Sequence, residues 1–271
     1  MHKLTLDDGM TLTYRELGAG APVLLLHGWP TSSYLWRNVM PAIAEHNSVI
    51  AVDLPGFGGS DKPLNIRYDF ELFDRALDGL LDKLEMDQVG IAVHDLGGPV
   101  GLHWMMANRD RVSRLAFLNV LVYPDFRPAL IEFVRTLMNP ETRDTLVGPE
   151  GLTQIMRDGL ADKTKLTDEV LAAVLEPFRD APGREALALS TIGLGPEGFN
   201  RIAEFVPTID VPVRIVYGER DEILTDIAET VDHLAKDLPQ AEVTALPNCG
   251  HFLQEDAPEQ VGRLLAEFFR G

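Results

Sequence analysis

Val89-Gly90-Ile91-Ala92-Val93-His94-Asp95-Leu96-Gly97-Gly98 is the stretch on which the fold turns. An apolar strand pattern over Gln88–His94 runs into Asp95, and a helical pattern over Gly98–Asn108 leaves it. Small residues after Asp95 let the backbone turn sharply and hold the side chain at the apex of a strand–turn–helix unit, the setting of a nucleophile elbow. The usual form of such a turn is Gly-x-Ser-x-Gly. Here Asp95 stands in the serine position, Gly97 fits the second glycine and Val93 replaces the first. Taken alone, Asp95 reads equally well as the N-cap of the helix that follows.

Strand and helix patterns alternate on both sides of this unit. Strand-like runs cover Lys3–Leu6, Thr11–Glu16, Val23–Leu26, Ser48–Val52, Leu115–Val120, Val213–Tyr217 and Glu242–Leu246. Val23-Leu24-Leu25-Leu26 is apolar at every position, as a strand buried on both faces requires. Helical patterns cover Tyr34–Glu45, Phe70–Leu84, Asp226–Lys236 and Pro258–Phe269. The alternation predicts a mostly parallel, eight-stranded sheet flanked by helices. It breaks once: residues 123–207 hold only helical pieces, among them Pro128–Met138, Gly151–Leu160 and Thr167–Phe178. They read as a helical lid inserted into a core of residues 1–122 and 208–271. Thr167 is expected as an N-cap, with Asp168 and Glu169 in the first turn.

Two further segments give Asp95 partners. Leu25-Leu26-His27-Gly28-Trp29-Pro30 follows a buried strand. A glycine-containing turn there can aim a backbone N–H at a developing oxyanion, the second donor coming from the residue after the nucleophile, which nominates Trp29 and Leu96. His27 is expected only to hold that loop. Late in the chain, His251 lies in Asn248-Cys249-Gly250-His251-Phe252-Leu253-Gln254-Glu255, between a strand and the final helix. Asp221, just past the strand ending at Tyr217, is the candidate to orient it. The order nucleophile–acid–histidine is that of this strand–turn–helix architecture. Asn119, after the preceding strand, is the other place for such an acid, but it is an amide.

The chemistry of these types is specific. A carboxylate displaces a leaving group from an sp³ carbon and leaves an alkyl ester on the enzyme. Water activated by His251 then attacks the ester carbonyl, and Asp221 keeps the imidazole in the right tautomer. A halide or a strained epoxide oxygen suits such displacement.

Composition narrows the partners. A net charge of −18 argues against nucleic acid or an anionic membrane, which need a basic footprint. No apolar run reaches the roughly 18 residues of a spanning helix, and Met1-His2-Lys3-Leu4-Thr5 reads as strand rather than signal peptide. Cys249, the single cysteine, excludes an internal disulfide, so a cytoplasmic location is the default. No His-Glu-x-x-His or Cys-x-x-Cys motif implies a metal, and no dinucleotide fingerprint implies a cofactor. The expected partners are a small apolar substrate and water, with the protein a monomer or homodimer.

Four segments together resemble one family over nearly the whole chain. They are His27-Gly28-Trp29-Pro30-Thr31-Ser32-Ser33-Tyr34-Leu35-Trp36-Arg37, Asp53-Leu54-Pro55-Gly56-Phe57-Gly58-Gly59-Ser60-Asp61-Lys62-Pro63, the Asp95 turn, and Gly250-His251-Phe252-Leu253-Gln254-Glu255-Asp256. The sequence is similar to the haloalkane dehalogenase and epoxide hydrolase branch of the α/β-hydrolases. The resemblance implies an α/β-hydrolase fold with a helical cap and the triad Asp95, His251 and Asp221. It leans towards the dehalogenases, with epoxide hydrolases as the alternative. A cofactor-free oxygenase or a non-catalytic binding relative are further alternatives. The departures concern the leaving group. Dehalogenases of this branch carry a tryptophan where Leu96 stands, and commonly an Asn or Glu where Trp29 stands. Epoxide hydrolases use cap tyrosines, and only Tyr123, at the lid's edge, comes near. Trp29 and Tyr123 are therefore the candidate substrate contacts, Trp29 through its indole N–H.

Overall fold

Alternate side chains of the central strands pack into two separate cores. Leu24, Leu26, Ile50, Val52, Ile91 and Val93 face one; Val23, Leu25, Val49, Ala51 and Ala92 face the other. A sheet buried on both faces needs a helical layer on each, and this is what the computed structural model, which describes residues 1–270, contains. The strands are β1 (His2–Thr5), β2 (Thr11–Gly18), β3 (Ala21–Leu26), β4 (Asn47–Val52), β5 (Val89–Asp95), β6 (Val112–Val120), β7 (Val213–Gly218) and β8 (Glu242–Leu246). They form one eight-stranded sheet in the order β1-β2-β4-β3-β5-β6-β7-β8. β2 runs antiparallel to both its neighbours, β1 and β4, and the other neighbouring pairs are parallel. β5 lies between β3 and β6, so its C-terminal end opens beside theirs, where sheets of this kind bind ligands.

The helices follow in chain order: α1 (Met40–Ile43), α2 (Phe70–Lys83), α3 (Gly97–Ala107), α4 (Pro128–Met138), α5 (Pro140–Leu146), α6 (Pro149–Asp158), α7 (Asp168–Leu175), α8 (Ala181–Ile192), α9 (Pro196–Phe205), α10 (Ile227–Asp237), α11 (Leu253–Asp256) and α12 (Pro258–Arg270). Phe73, Leu77, Trp104 and Leu234 of α2, α3 and α10 fill one core. Trp36, Met40, Ile43, Val261 and Leu265 fill the other. Between β6 and β7 the chain passes through α4–α9. Thr167 caps α7, its side chain accepting from the Val170 N–H. No described helix is long and apolar enough to cross a membrane.

Two helical expectations are corrected, both at prolines. Tyr34–Glu45 is not one helix but a 3₁₀ turn at Ser33–Trp36 followed by the short α1. Pro41 has no N–H to donate and disfavours helix before it, so the helix restarts with Pro41 in its first turn. Thr167–Phe178 likewise ends as α-helix at Leu175 and tightens to 3₁₀ around Pro177.

Candidate active site

Asp95 sits at the end of β5 with φ +49°, a left-handed conformation that a non-glycine residue adopts only where its surroundings enforce it. The register between β5 and β6 shifts at His94/Asp95, turning the chain out of the sheet. Val93 is tolerated in the place of a glycine because Gly101 of α3 lies against it; a Cβ there would stand 2.9 Å from Val93 Cγ1. Asp95 does not cap α3. The N-cap position belongs to Leu96, and no side chain caps it.

The Asp95 carboxylate is instead gripped from the neighbouring loop. Trp29 N–H donates to Asp95 Oδ1 at 2.7 Å. That approach depends on Gly28, where a Cβ would lie 2.3 Å from Asp95 Cβ and 2.4 Å from Oδ1. Burial pushes the Asp95 pKa above its ordinary value, against the pull of His251 and of the Leu96 and Trp29 N–H groups. His27 braces the same loop: Nε2 accepts from the Leu54 N–H at 3.1 Å, and Nδ1 lies 2.9 Å from the Gly28 carbonyl.

The structure brings Asp95, His251 and Asp221 together. His251 Nε2 lies 3.6 Å from Asp95 Oδ2, beyond hydrogen-bond range, and has no hydrogen-bond partner. On the other side of the ring, Nδ1 is 2.9 Å from Asp221 Oδ2. Asp221 Oδ2 also accepts from Asn119 Nδ2 at 2.6 Å, and its Oδ1 accepts from the Ile223 and Leu224 N–H groups, each at 2.8 Å. A buried carboxylate needs such donors to stay charged. Burial works against the charge, but His251 and these donors hold the Asp221 pKa below its ordinary value. Burial would also lower the His251 pKa; Asp221, with Asp95 behind it, overrides that and holds it above the ordinary histidine value.

Asn119 therefore belongs to the site without being its acid. It has φ +40° and ties the acid to β7, because its Oδ1 accepts from Gly218 N–H at 2.9 Å. His94 is a second contributor that the sequence reading passed over. Its ring stands 4.7 Å from that of His251, and its Nε2 lies 2.9 Å from the His251 carbonyl. Its place directly before Asp95 was the available signal.

The two candidate substrate contacts are placed elsewhere. Trp29 Nε1 donates to the Leu187 carbonyl of α8 at 3.2 Å, and the indole meets the Phe133 ring of α4 edge-on at 5.0 Å. Its N–H is used to join the loop to the insertion rather than facing the space above Asp95. Tyr123 is corrected outright. Its hydroxyl donates to Asp237 Oδ2 at 2.8 Å and its ring stacks on His233, so α10 claims it. Cys249 is buried, and burial pushes its thiol up to about 11, which makes it a packing residue. Trp36 and Trp104 lie in the cores.

A cavity of about 390 Å³ adjoins the elbow. Leu96 and Pro99 line it together with Leu121, Phe126, Leu130, Ile192, Leu194 and Phe199. Its size and apolar lining suit a small organic molecule. A larger hollow of about 600 Å³, edged by Asp8, Lys62 and Arg75, shares no residue with the elbow.

Comparison with known proteins agrees with this fold. Residues 23–264 match the alpha/beta hydrolase family model. A haloalkane dehalogenase of Agrobacterium fabrum is 30% identical over 95% of this chain and 88% of its own. A soluble epoxide hydrolase of Corynebacterium sp. strain C12 is 31% identical over 99% of this chain and 96% of its own. The solved structure of the epoxide hydrolase CorEH without ligand superposes with a TM-score of 0.86 at 29% identity, covering 99% of this chain and 97% of that one. The chain thus belongs to the α/β-hydrolase family and is a hydrolase of the branch that holds the haloalkane dehalogenases and epoxide hydrolases.

Proposed function

We propose that the protein hydrolyses a small apolar substrate through an alkyl ester on Asp95, and that the bond cleaved is carbon–halogen. The observation that carries this reading is the pair of environments at one carboxylate. Oδ1 is held by Trp29 N–H, while Oδ2 faces the unpartnered Nε2 of His251. Oδ2 is then the attacking atom. It forms the bond to carbon as the halide departs with the bonding pair, and no proton moves. Oδ1 becomes the carbonyl oxygen of the ester, already bonded to the Trp29 N–H, with the Leu96 N–H as the second donor to the carboxyl group.

His251 next takes a proton from water at Nε2, and the resulting hydroxide attacks Asp95 Cγ. The oxyanion collapses, the bond from Cγ to the alkyl oxygen breaks, and the alcohol leaves with the proton from His251. Asp221 holds the imidazolium between these steps.

The choice of halide over epoxide rests on the cavity walls. An epoxide oxygen departs as an alkoxide and needs a proton donor, whereas a halide does not. Tyrosines are the donors that epoxide hydrolases of this branch use, and none of the five tyrosines lines the described cavity. The relatives by name include both classes. The single buried cysteine suits a reducing, cytoplasmic setting.

The test is His251→Gln incubated in parallel with bromobutane and with epoxybutane, read by intact mass. A butyl adduct from bromobutane, absent from the epoxide arm, is the expected result. An adduct from the epoxide alone would transfer the assignment to epoxide hydrolysis. No adduct with an electrophile that wild type turns over would end the covalent mechanism.

A further inference from the structure

The loop that carries His251 is fastened to the helical insertion chiefly through one carboxylate. Asp256 Oδ2 accepts from Gly250 N–H at 2.8 Å and from Ala161 N–H at 2.9 Å, and its Oδ1 accepts from Asp162 N–H at 3.0 Å. Gly250 immediately precedes His251, and Ala161 and Asp162 lie just beyond α6 of the insertion. On the other side of His251, Phe252 N–H donates to the Gly159 carbonyl at 3.0 Å. Both neighbours of His251 are thus bonded into this junction. The approach is so close that a Cβ on Gly250 would stand 2.6 Å from the Gly159 oxygen. From the sheet side, His251 is held by its carbonyl near His94 Nε2 and its Nδ1 on Asp221.

We propose that Asp256 is a positioning residue for His251, through which the helical insertion fixes the base for the hydrolytic half of the reaction. This rests on the proposed Asp95 ester mechanism. Asp95 is held by β5 and the Trp29 loop and does not touch the junction, so displacement proceeds without it. Hydrolysis does not, because a proton transfer at His251 Nε2 fails when the ring is misplaced; an error of ~1 Å costs on the order of a hundredfold. Loosening Asp256 therefore slows the second step and spares the first, and the intermediate accumulates.

The test compares Asp256→Asn and Asp256→Ala with wild type and His251→Gln, using bromobutane, rapid quench and intact mass. Asn keeps the shape and one acceptor oxygen, so it reports even if Ala folds poorly. The expected result is a kcat lowered roughly 10- to 100-fold, more for Ala than for Asn, with kcat/KM within about threefold of wild type. Butyl adduct on Asp95 then persists in the steady state. This fraction is measured within the folded population, so a loss of folded protein alone does not move it. If kcat is unchanged, or if kcat and kcat/KM fall together without adduct, Asp256 has no positioning role. Should His251→Gln accumulate adduct while both Asp256 variants do not, the positioning role falls alone. Should none accumulate it, the ester mechanism falls and takes the positioning role with it.

Discussion

Gly28→Ala puts the grip on Asp95, the proposed nucleophile, to a direct test. The added methyl would lie 2.3 Å from Asp95 Cβ and 2.4 Å from Oδ1. Non-bonded heavy atoms settle at about 3.5–4.0 Å, so the Trp29 loop and Asp95 must part by roughly 1 Å or more. The Trp29 N–H bond to Oδ1, 2.7 Å long, spans the same gap. Stretched by that amount it is no longer a hydrogen bond. Loss of one oxyanion donor costs about 10²–10³ in kcat, or about 2.7–4 kcal/mol of barrier. Halide release from bromobutane should fall by that factor. The methyl faces a side chain of the site rather than the packed core, so the far-UV circular dichroism should not change. Turnover within about threefold of wild type, with the fold intact, would refute the close approach of the Trp29 loop to Asp95 and its role in holding the charge.

Three further outcomes follow from the same geometry. The His251 pKa lies above its ordinary value through Asp221 and, behind it, Asp95. Hydrolysis needs the neutral imidazole, so kcat falls as pH drops through that pKa. Esterified Asp95 carries no charge, which places the kcat limb below the His251 pKa of the free enzyme. kcat/KM depends instead on ionised Asp95, so matching limbs in the two profiles would contradict the scheme. Asn119→Ala removes a donor from the buried Asp221 carboxylate, a bond worth about 1.5–3 kcal/mol. A lower melting temperature and a lower kcat with kcat/KM preserved are expected, and calorimetry with steady-state kinetics checks both. Trp29→Phe removes the indole bond to Leu187 but leaves the backbone N–H in place. It should cost about 0.5–1.5 kcal/mol of stability in denaturant unfolding, without the roughly hundredfold loss in displacement rate expected of a leaving-group donor.

The parts of the fold and site that were legible in the sequence are those written in local pattern. The run Val23–Leu26 announces a strand buried on both faces because every position is apolar, and it packs into both cores. Asp95 announces a turn because a strand period and a helix period meet there with glycines between them. Asp221 and His251 were found by their places after strands, and the sheet brings the ends of β5, β7 and β8 together. What escaped depends on contacts between distant segments. Nothing local to Tyr123 says that α10 will offer His233 and Asp237 to it, so proximity to the insertion was misleading. The indole of Trp29 was equally open until α8 placed the Leu187 carbonyl against it. Asn119 was weighed as an acid and set aside as an amide; its function as a donor to the acid needs β6 and β7 side by side. Asp256 lies in a quoted motif, but its partners Ala161 and Asp162 are nearly a hundred residues away and carry no chemical signal.

The central claim is that the oxygen first transferred to carbon comes from Asp95 and not from water. A single turnover of excess enzyme on bromobutane in oxygen-18 water isolates that atom. The ester mechanism predicts butanol without label and one oxygen-18 in the peptide containing Asp95, because hydroxide attacks the carboxyl carbon. Labelled butanol in the first turnover, with Asp95 unlabelled, would mean that water attacks the substrate directly and would contradict it.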